Sequence, residues 1–282
     1  MKVGFNLLLW TTHVTEDRFH LIEEMKKTGY DGVEIPLFEG DPEHFRKLGK
    51  VIADNGLGAT TVTVMPDTAH DAVSLDKAAR DGARAHLEWA VDCTEALGGE
   101  LVAGPIHQAL GHFTGSGRTE EEWQNGVDVL RDVADHAARA GIALSVEPLN
   151  RFECYFLNLV EDAARFVRAI DRPNVGVLYD TFHCNIEEKH PIGALRHNMA
   201  DINHVHISAN DRGTPGKDHI PWVYTFETLK ENGYDGWLTI EAFGRALPDL
   251  AAATRVWRDF FPEPKEVYTF GHDFIRNSWG AV

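Results

Sequence analysis

The chain alternates short β-branched or apolar runs with longer amphipathic segments from one end to the other, and this alternation constrains its fold more than any other feature. Such a pattern predicts repeated strand–helix units whose strands lie parallel in one sheet. We identify eight strand-like runs in the 282 residues. They are VGFNLLLW from Val3, GVEIPL from Gly32, ATTVTV from Ala59, LVAGPI from Leu101, ALSVEPL from Ala143, VGVLYD from Val175, INHVHIS from Ile202 and WLTIEAF from Trp237.

Segments with helical periodicity lie between these runs, including 16–28, 74–97 and 119–140. The last begins with Thr119 and Glu122 at the spacing of a capping box, in which two side chains satisfy free backbone N–H groups of the first turn. Glycine closes several units, because it tolerates the left-handed conformation that ends a helix before a strand. These glycines are Gly29, Gly56, Gly98, Gly141 and Gly233.

Eight strand–helix units predict a closed (β/α)₈ barrel, a fold that typically needs roughly 250 residues. No linker or change of composition divides the chain, so we expect one domain over residues 1–282. The alternative is an open doubly wound sheet, but the first strand is followed by WTTHVTEDR and carries no GxGxxG turn for a dinucleotide. The segment after Phe261 is an additional tail, expected over the barrel or against a second subunit.

The charge balance disfavours one class of partner. The chain carries 44 acidic and 27 basic residues, a formal net charge of −17, which would repel a nucleic acid backbone. No apolar stretch reaches the roughly 18 residues that span a bilayer, and the start MKVGFNLLLW has no secretory cleavage pattern. We therefore expect a cytoplasmic protein with neither a nucleic acid nor a membrane partner.

The three cysteines are Cys93, Cys154 and Cys184. Their odd number and wide separation fit reduced, buried thiols better than a disulfide framework.

Four polar residues stand late in otherwise apolar runs: Glu147 in LSVEP, Asp180 in GVLYD, His206 in HVHIS and Glu241 in LTIEA. The carboxyl ends of the strands in a parallel barrel meet at one mouth, where active sites collect. Buried carboxylates and imidazoles need partners, so their convergence indicates a shared cation. Three carboxylates and one imidazole suit Mn²⁺, Mg²⁺ or Co²⁺ better than a structural zinc ion.

The simpler interpretation is that each of these residues is neutralised separately by an arginine or lysine. None of the four strands carries an obvious internal cation near its acidic residue, which disfavours ion pairs as the explanation. His204 stands two residues before His206, and we interpret it as a structural residue that faces away from His206.

The sequence resembles the D-tagatose 3-epimerase and D-psicose (allulose) 3-epimerase family of xylose-isomerase-like barrels over essentially its whole length. The motifs that carry the resemblance are VEPLNRFECYFLN from Val146, LYDTFHCNIEE from Leu178, HVHISANDRGTPGKDHIPW from His204 and LTIEAFG from Leu238. The resemblance implies a metal-dependent epimerase of carbohydrate metabolism that interconverts ketoses at C3 through an enediolate. It places Glu147, Asp180, His206 and Glu241 at the metal-ligand positions, with the two glutamates also serving as the acid/base pair.

The resemblance further implies that Glu153, His183 and Arg212 contact the ketose oxygens O1 to O3. The chemistry agrees, because inverting a carbon beside a carbonyl requires one proton removed and another delivered on the opposite face. Two carboxylates are the minimum equipment for that exchange. We expect one Mn²⁺, with Mg²⁺ and Co²⁺ as alternatives, and a homodimer or homotetramer.

Specificity for the part of the substrate beyond C3 is expected to come from one loop and from the ends of two strands. The loop HQALGHFTGSG from His107 departs from the family and adds His107 and His112. Trp10 and Met65, at the ends of the first and third strands, are candidates for apolar pocket walls, and Phe243 is ambiguous in the same way. No P-loop-like phosphate cradle is present, which favours a non-phosphorylated ketose or keto-polyol.

Other functions remain open at this point. An aldose–ketose isomerase or a keto-polyol (inosose-type) dehydratase would use the same metal and carboxylates through related enediolate chemistry. A metal-dependent endonuclease of a related barrel type is disfavoured by the acidic charge balance. A non-catalytic sugar-binding module is disfavoured because all seven polar residues of the family type are present.

Overall fold

The computed structural model describes residues 1–282 and contains eight parallel strands that close into a barrel. The strands follow one another in chain order, and the last pairs with the first, with Lys2 opposite Trp237 and Phe5 opposite Ile240. The strands are β1 (Lys2–Asn6), β2 (Gly32–Pro36), β3 (Gly58–Val62), β4 (Leu101–Gly104), β5 (Ala143–Val146), β6 (Val175–Asp180), β7 (Ile202–Ile207) and β8 (Trp237–Ile240). Each of the eight predicted runs therefore overlaps a strand.

Helices follow every strand. They are α1 (His20–Thr28), α2 (Pro42–Asp54), α3 (Lys77–Leu97), α4 (Glu120–Ala140), α5 (Val160–Ile170), α6 (Thr181–Glu187), α7 (Pro191–His197), α8 (Trp222–Glu231), α9 (Pro248–Ala253) and α10 (Pro264–Ala281). The predicted fold class, a (β/α)₈ barrel, is confirmed. Two units carry an additional short helix, since α6 and α7 both follow β6, and α9 precedes α10 after β8.

The helix-capping box and the closing glycines predicted from the sequence are present in the structure. Thr119 Oγ1 accepts a hydrogen bond from the backbone N–H of Glu122 at 3.2 Å, and Glu122 Oε2 accepts one from the N–H of Thr119 at 2.6 Å. This is the predicted capping box at the start of α4. All five glycines that were expected to close helical segments have positive φ.

The tail after Phe261 forms α10, which occupies the eighth place in the outer helix layer. Tyr30 donates a hydrogen bond from Oη to the carbonyl of Tyr268 at 2.7 Å. Arg276 pairs with Asp31 at 2.7 Å. These contacts place α10 against the first unit of the barrel, so the tail completes the helix layer.

Side chains alternate along each strand between the apolar layer and the barrel interior. In β2, Val33 and Ile35 belong to the main apolar core of 62 buried residues. Glu34, between them, is fully buried and bonds to side chains of β1, β3 and β7 inside the barrel. The interior is therefore polar near the site described below, unlike the apolar layers that usually fill such barrels.

The cysteines behave as predicted, because all three are buried and free. None of the helices combines the length and the apolar composition that crossing a membrane would demand.

Candidate active site

Four consecutive strands bring the four expected ligand residues to one mouth of the barrel. Glu147 directly follows β5, Asp180 ends β6, His206 lies near the end of β7, and Glu241 directly follows β8. One ligand atom from each lies within 4.8 Å of the others, and all four residues are buried. The convergence expected from the strand-end pattern is present.

The orientation of His206 fits a bound cation. Its Nε2 lies 2.7 Å from Glu34 Oε1 inside the barrel. Its Nδ1 has no hydrogen-bond partner and faces the carboxylates, at 3.5 Å from Glu241 Oε2 and 4.0 Å from Asp180 Oδ2. A buried ring nitrogen without a partner, directed at carboxylate oxygens, is the arrangement that a metal ligand requires.

The carboxylates perturb one another strongly. Burial raises the pKa of Glu147 well above its ordinary value, and the charges of Glu241 and Asp180 raise it further. Burial also raises the pKa of Asp180 against the opposing charge of Arg212. Burial alone would raise the pKa of Glu241, but His206 and Arg212 hold it below its ordinary value. Such mutual repulsion in a dry site is what a divalent cation relieves.

One cation from the chain already lies beside this cluster. Arg212, in the loop after β7, donates from Nη1 to Asp180 Oδ2 at 2.8 Å and to Glu241 Oε2 at 2.7 Å. Its guanidinium lies over the rings of Phe182 and Phe243, at 3.9 and 4.9 Å from their centroids. The strands themselves carry no such cation, as the sequence indicated, but Arg212 reaches the site from a loop and forms ion pairs there. One guanidinium cannot balance three carboxylates when all three are ionised.

A cavity of about 260 Å³ opens beside the four residues. Its polar wall includes Glu147, Glu153, His183, Arg212 and Glu241. Most of the remaining wall is apolar, formed by Leu8, Phe38, Val62, Val64, Pro105, Leu110, Leu149, Phe243, Leu250 and Ala253. The structure thus brings the three expected ketose contacts and two of the expected ligands to the same space.

A hydrogen-bond chain fixes the imidazole of His183. Its Nδ1 accepts from the backbone N–H of Asn150 at 3.0 Å, and the Asn150 amide donates to Glu153 Oε1 at 2.7 Å. Burial and the charge of Arg212 lower the pKa of His183 well below its ordinary value, so the ring is neutral. The hydrogen of a neutral ring whose Nδ1 accepts must sit on Nε2. That atom lies 3.5 Å from Glu147 Oε1.

Three residues expected in the substrate pocket do not line the cavity. Trp10 packs with its ring 5.9 Å from that of Tyr268 in α10, and Met65 is fully buried in the apolar core. His107 is buried with Nε2 at 3.0 Å from the carbonyl of Glu147, and burial lowers its pKa to about 4. These three side chains therefore form no part of this cavity wall, because a position near a strand end does not decide which way a side chain points. From the same loop, Leu110 does reach the wall.

His204 corrects a further expectation. Residues two apart in a strand face the same side, so His204 does not face away from His206. Its Nε2 lies 2.8 Å from Glu34 Oε2, while His206 binds the other oxygen of the same carboxylate. Sequence reasoning also missed Glu34 and Asn6, although a charged residue in the apolar run GVEIPL is the kind of signal that identified the four ligands.

Adding Mn²⁺ is expected to raise the unfolding temperature, because the ion binds the assembled site and not the unfolded chain. At a free concentration of 100 times Kd the gain is about 2.7 kcal/mol. Thermal unfolding followed by circular dichroism, with Mn²⁺ and after EDTA treatment, measures it. Asp180→Asn should lose most of the gain, and an equal rise in that variant would contradict the assignment of Asp180.

The chain is similar to several known proteins. A family model described as a xylose isomerase-like TIM barrel matches residues 22–276. A probable ketose 3-epimerase of Synechocystis is 30% identical over 99% of this chain and 97% of its own length. A D-psicose 3-epimerase of Ruminiclostridium cellulolyticum is 31% identical over 92% and 89%. The solved structure of D-psicose 3-epimerase with D-tagatose from Clostridium cellulolyticum H10 superposes with a TM-score of 0.91 at 29% identity, covering 99% of both chains.

Proposed function

The chain belongs to the ketose 3-epimerases of the xylose isomerase-like TIM barrel family, and we propose that it inverts ketoses at C3 through an enediolate intermediate. One observation carries the proposal. Glu147 and Glu241 share a buried cluster with Asp180 and His206, whose ligand atoms lie within 4.8 Å of one another beside the cavity. Two carboxylates of one site thus serve both the metal and the reacting carbon.

The positions of the two glutamates suit proton exchange. They follow β5 and β8, so the two intervening strands, β6 and β7, separate them around the barrel mouth. In our proposal one glutamate takes the C3 proton and the other returns a proton to the opposite face. A divalent cation held by Glu147, Asp180, His206 and Glu241 would act as a Lewis acid and stabilise the negative charge that develops on the substrate oxygen.

The remaining polar wall suits the O1 to O3 end of a ketose. His183 presents an N–H at Nε2, Arg212 presents a charged fork, and Glu153 presents an acceptor on the same cavity. Burial raises the pKa of Glu153, which suits a carboxyl group that shares hydrogen atoms with sugar hydroxyls. We propose that these three residues orient the ketose so that C3 lies between the two glutamates.

We propose Mn²⁺ as the resident ion, with Mg²⁺ and Co²⁺ as alternatives, because three carboxylates and one imidazole form an oxygen-rich donor set without thiolates.

We also propose a homodimer or homotetramer. The side chains of Phe152 and Trp257, 66% and 68% exposed in loops after β5 and β8, would help to bury such an interface. A cytoplasmic location suits the three free cysteines. The single main core supports one domain over 1–282.

The substrate is proposed to be a non-phosphorylated ketose or keto-polyol. The cavity wall contains one arginine, Arg212, and no lysine. Arg212 already forms ion pairs with two carboxylates, those of Asp180 and Glu241. Asp249 of α9 adds a further negative charge to the wall. A phosphate group would therefore be buried against acidic and apolar groups without a free cation, which is costly.

Incubation with D-tagatose, D-fructose, D-psicose and L-ribulose in D₂O tests both the reaction and the substrate class. We expect C3 epimers as products, deuterium at C3, and at least a tenfold preference for the free ketose over its phosphorylated form. Aldose products would establish an isomerase, and loss of water a dehydratase. If neither products nor deuterium exchange were found with metal present, the chain would be a binding module. A preference for phosphorylated sugars would overturn the proposed substrate class.

A further inference from the structure

A single carboxylate inside the barrel holds four hydrogen-bond donors. Glu34 Oε1 lies 2.7 Å from His206 Nε2 and accepts from Asn6 Nδ2 at 3.1 Å. Glu34 Oε2 lies 2.8 Å from His204 Nε2 and accepts from Thr60 Oγ1 at 2.9 Å. An ionised carboxylate has about four acceptor positions and no donor. Glu34 is therefore fully occupied, and every group around it must donate.

We propose that Glu34 and Asn6 are positioning residues for the metal, which set the tautomer of His206 and the rotamer of Glu241. This inference rests on the proposed metal site. Because Glu34 Oε1 can only accept, His206 must carry a hydrogen on Nε2. In the neutral ring the lone pair then lies on Nδ1, which has no partner and faces the ligand carboxylates.

Asn6 extends the same control to a second ligand. Its Oδ1 accepts from the backbone N–H of Leu8 at 2.9 Å, so the amide orientation is fixed with Nδ2 directed into the barrel. From there Nδ2 donates to Glu241 Oε1 as well as to Glu34, each at 3.1 Å. With Oε1 held, Glu241 Oε2 is the oxygen that lies near His206 Nδ1. Two ligands from different strands are thus held by one buried network.

The network also explains a polar barrel interior that catalysis does not require. Glu34, Asn6 and His204 are each at most 1% exposed, and substrate in the cavity does not reach them because they do not line it. Burying a carboxylate at this depth is unfavourable unless hydrogen-bond donors compensate for its lost hydration. The role that we assign to Glu34 is to orient His206 and Glu241, since residues that hydrogen-bond to a metal ligand typically contribute about 10- to 100-fold in metal affinity.

The test is a Mn²⁺ titration of purified, metal-depleted protein, followed by electron paramagnetic resonance. Glu34→Gln keeps the shape but removes the charge and replaces one acceptor atom by a donor. We expect its Mn²⁺ affinity to fall by about 10- to 100-fold, with kcat largely recovered at saturating Mn²⁺. Asn6→Ala, which removes the amide altogether, is expected to weaken affinity in the same direction and decides the matter if Glu34→Gln does not fold.

Thr61→Val is the matched control. Thr61 is the next residue after Thr60 in β3 and is also buried. Its hydroxyl group bonds to Thr94 and to the carbonyl of Leu101, away from the site. It should lose stability without losing Mn²⁺ affinity. Affinity within twofold of wild type in Glu34→Gln, or an equal loss in Thr61→Val, would overturn the inference. Failure of the wild-type protein to bind Mn²⁺ would instead overturn the proposed metal site.

Discussion

Replacing Glu147 or Glu241 by glutamine is expected to abolish C3 epimerisation while leaving the barrel folded. Each variant removes a group that we assign to proton transfer, and such a loss typically costs roughly 10²- to 10⁴-fold in rate. Each also removes one charge from the ligand set, so weaker metal binding adds to the loss. Turnover measured over a range of Mn²⁺ concentrations separates the two effects, because only the binding loss recovers at saturation.

Glu95→Gln provides a control for this experiment, since Glu95 is exposed on α3 and far from the barrel mouth. It should keep wild-type turnover. The glutamine variants should keep the circular dichroism of the folded barrel, because a neutral amide relieves repulsion among the buried carboxylates. Near-normal turnover of either variant at saturating Mn²⁺ would show that the residue is a ligand without a role in proton transfer.

The fold was predictable from the sequence because its signals are local and repeated. Each unit carries an apolar run, an amphipathic segment and often a closing glycine such as Gly98 or Gly141, and the same order recurs around the barrel. The convergence of the four candidate ligand residues was predictable for a related reason. Parallel strands in a barrel place their carboxyl ends at one mouth, so four late polar residues must converge once the strands are identified.

The differences between expectation and structure concern properties that no local pattern determines. Arg212 reaches Asp180 and Glu241 through a loop in which it adopts a positive φ of 66°, a conformation that is uncommon for a residue other than glycine. Trp10 and Met65 lie at strand ends, yet their side chains pack into aromatic and apolar contacts away from the cavity. These outcomes depend on tertiary packing that the periodicity of a strand does not describe.

The error at His204 has a different origin, because the information was present in the sequence. Two histidines separated by one residue in a strand share a face, and Glu34 interrupts an apolar run in β2. Together they predict a buried acid among imidazoles. The search for polar residues at strand ends missed Glu34 and His204 because they lie deeper in the barrel, behind the candidate metal ligands.

Replacing Arg212 by lysine is expected to lower kcat/KM by about 10- to 100-fold, although the positive charge is kept. Arg212 uses two nitrogens at once: Nη1 donates to Asp180 and Glu241, and Nη2 faces the Nε2–H of His183 at 2.8 Å, where the two N–H groups can share an acceptor such as a substrate oxygen. A lysine ammonium is a single point and cannot span both positions. Losing one hydrogen bond to a charged group costs about 1.5–3 kcal/mol, which corresponds to that range of rates.

A matched exchange, Arg151→Lys, separates this effect from a general intolerance of lysine. Arg151, in the loop after β5, pairs with Glu187 at 2.9 Å, and its own side chain is 63% exposed, so a lysine at this position can keep the ion pair through its ammonium group. Steady-state kinetics on the best ketose, at saturating Mn²⁺, should show wild-type values for Arg151→Lys and a clear loss for Arg212→Lys. If Arg212→Lys kept wild-type kinetics, charge alone would suffice at this position. Arg212 would then balance the buried carboxylates without orienting the ketose, and the proposed contact to O1 to O3 would have to come from Glu153 and His183.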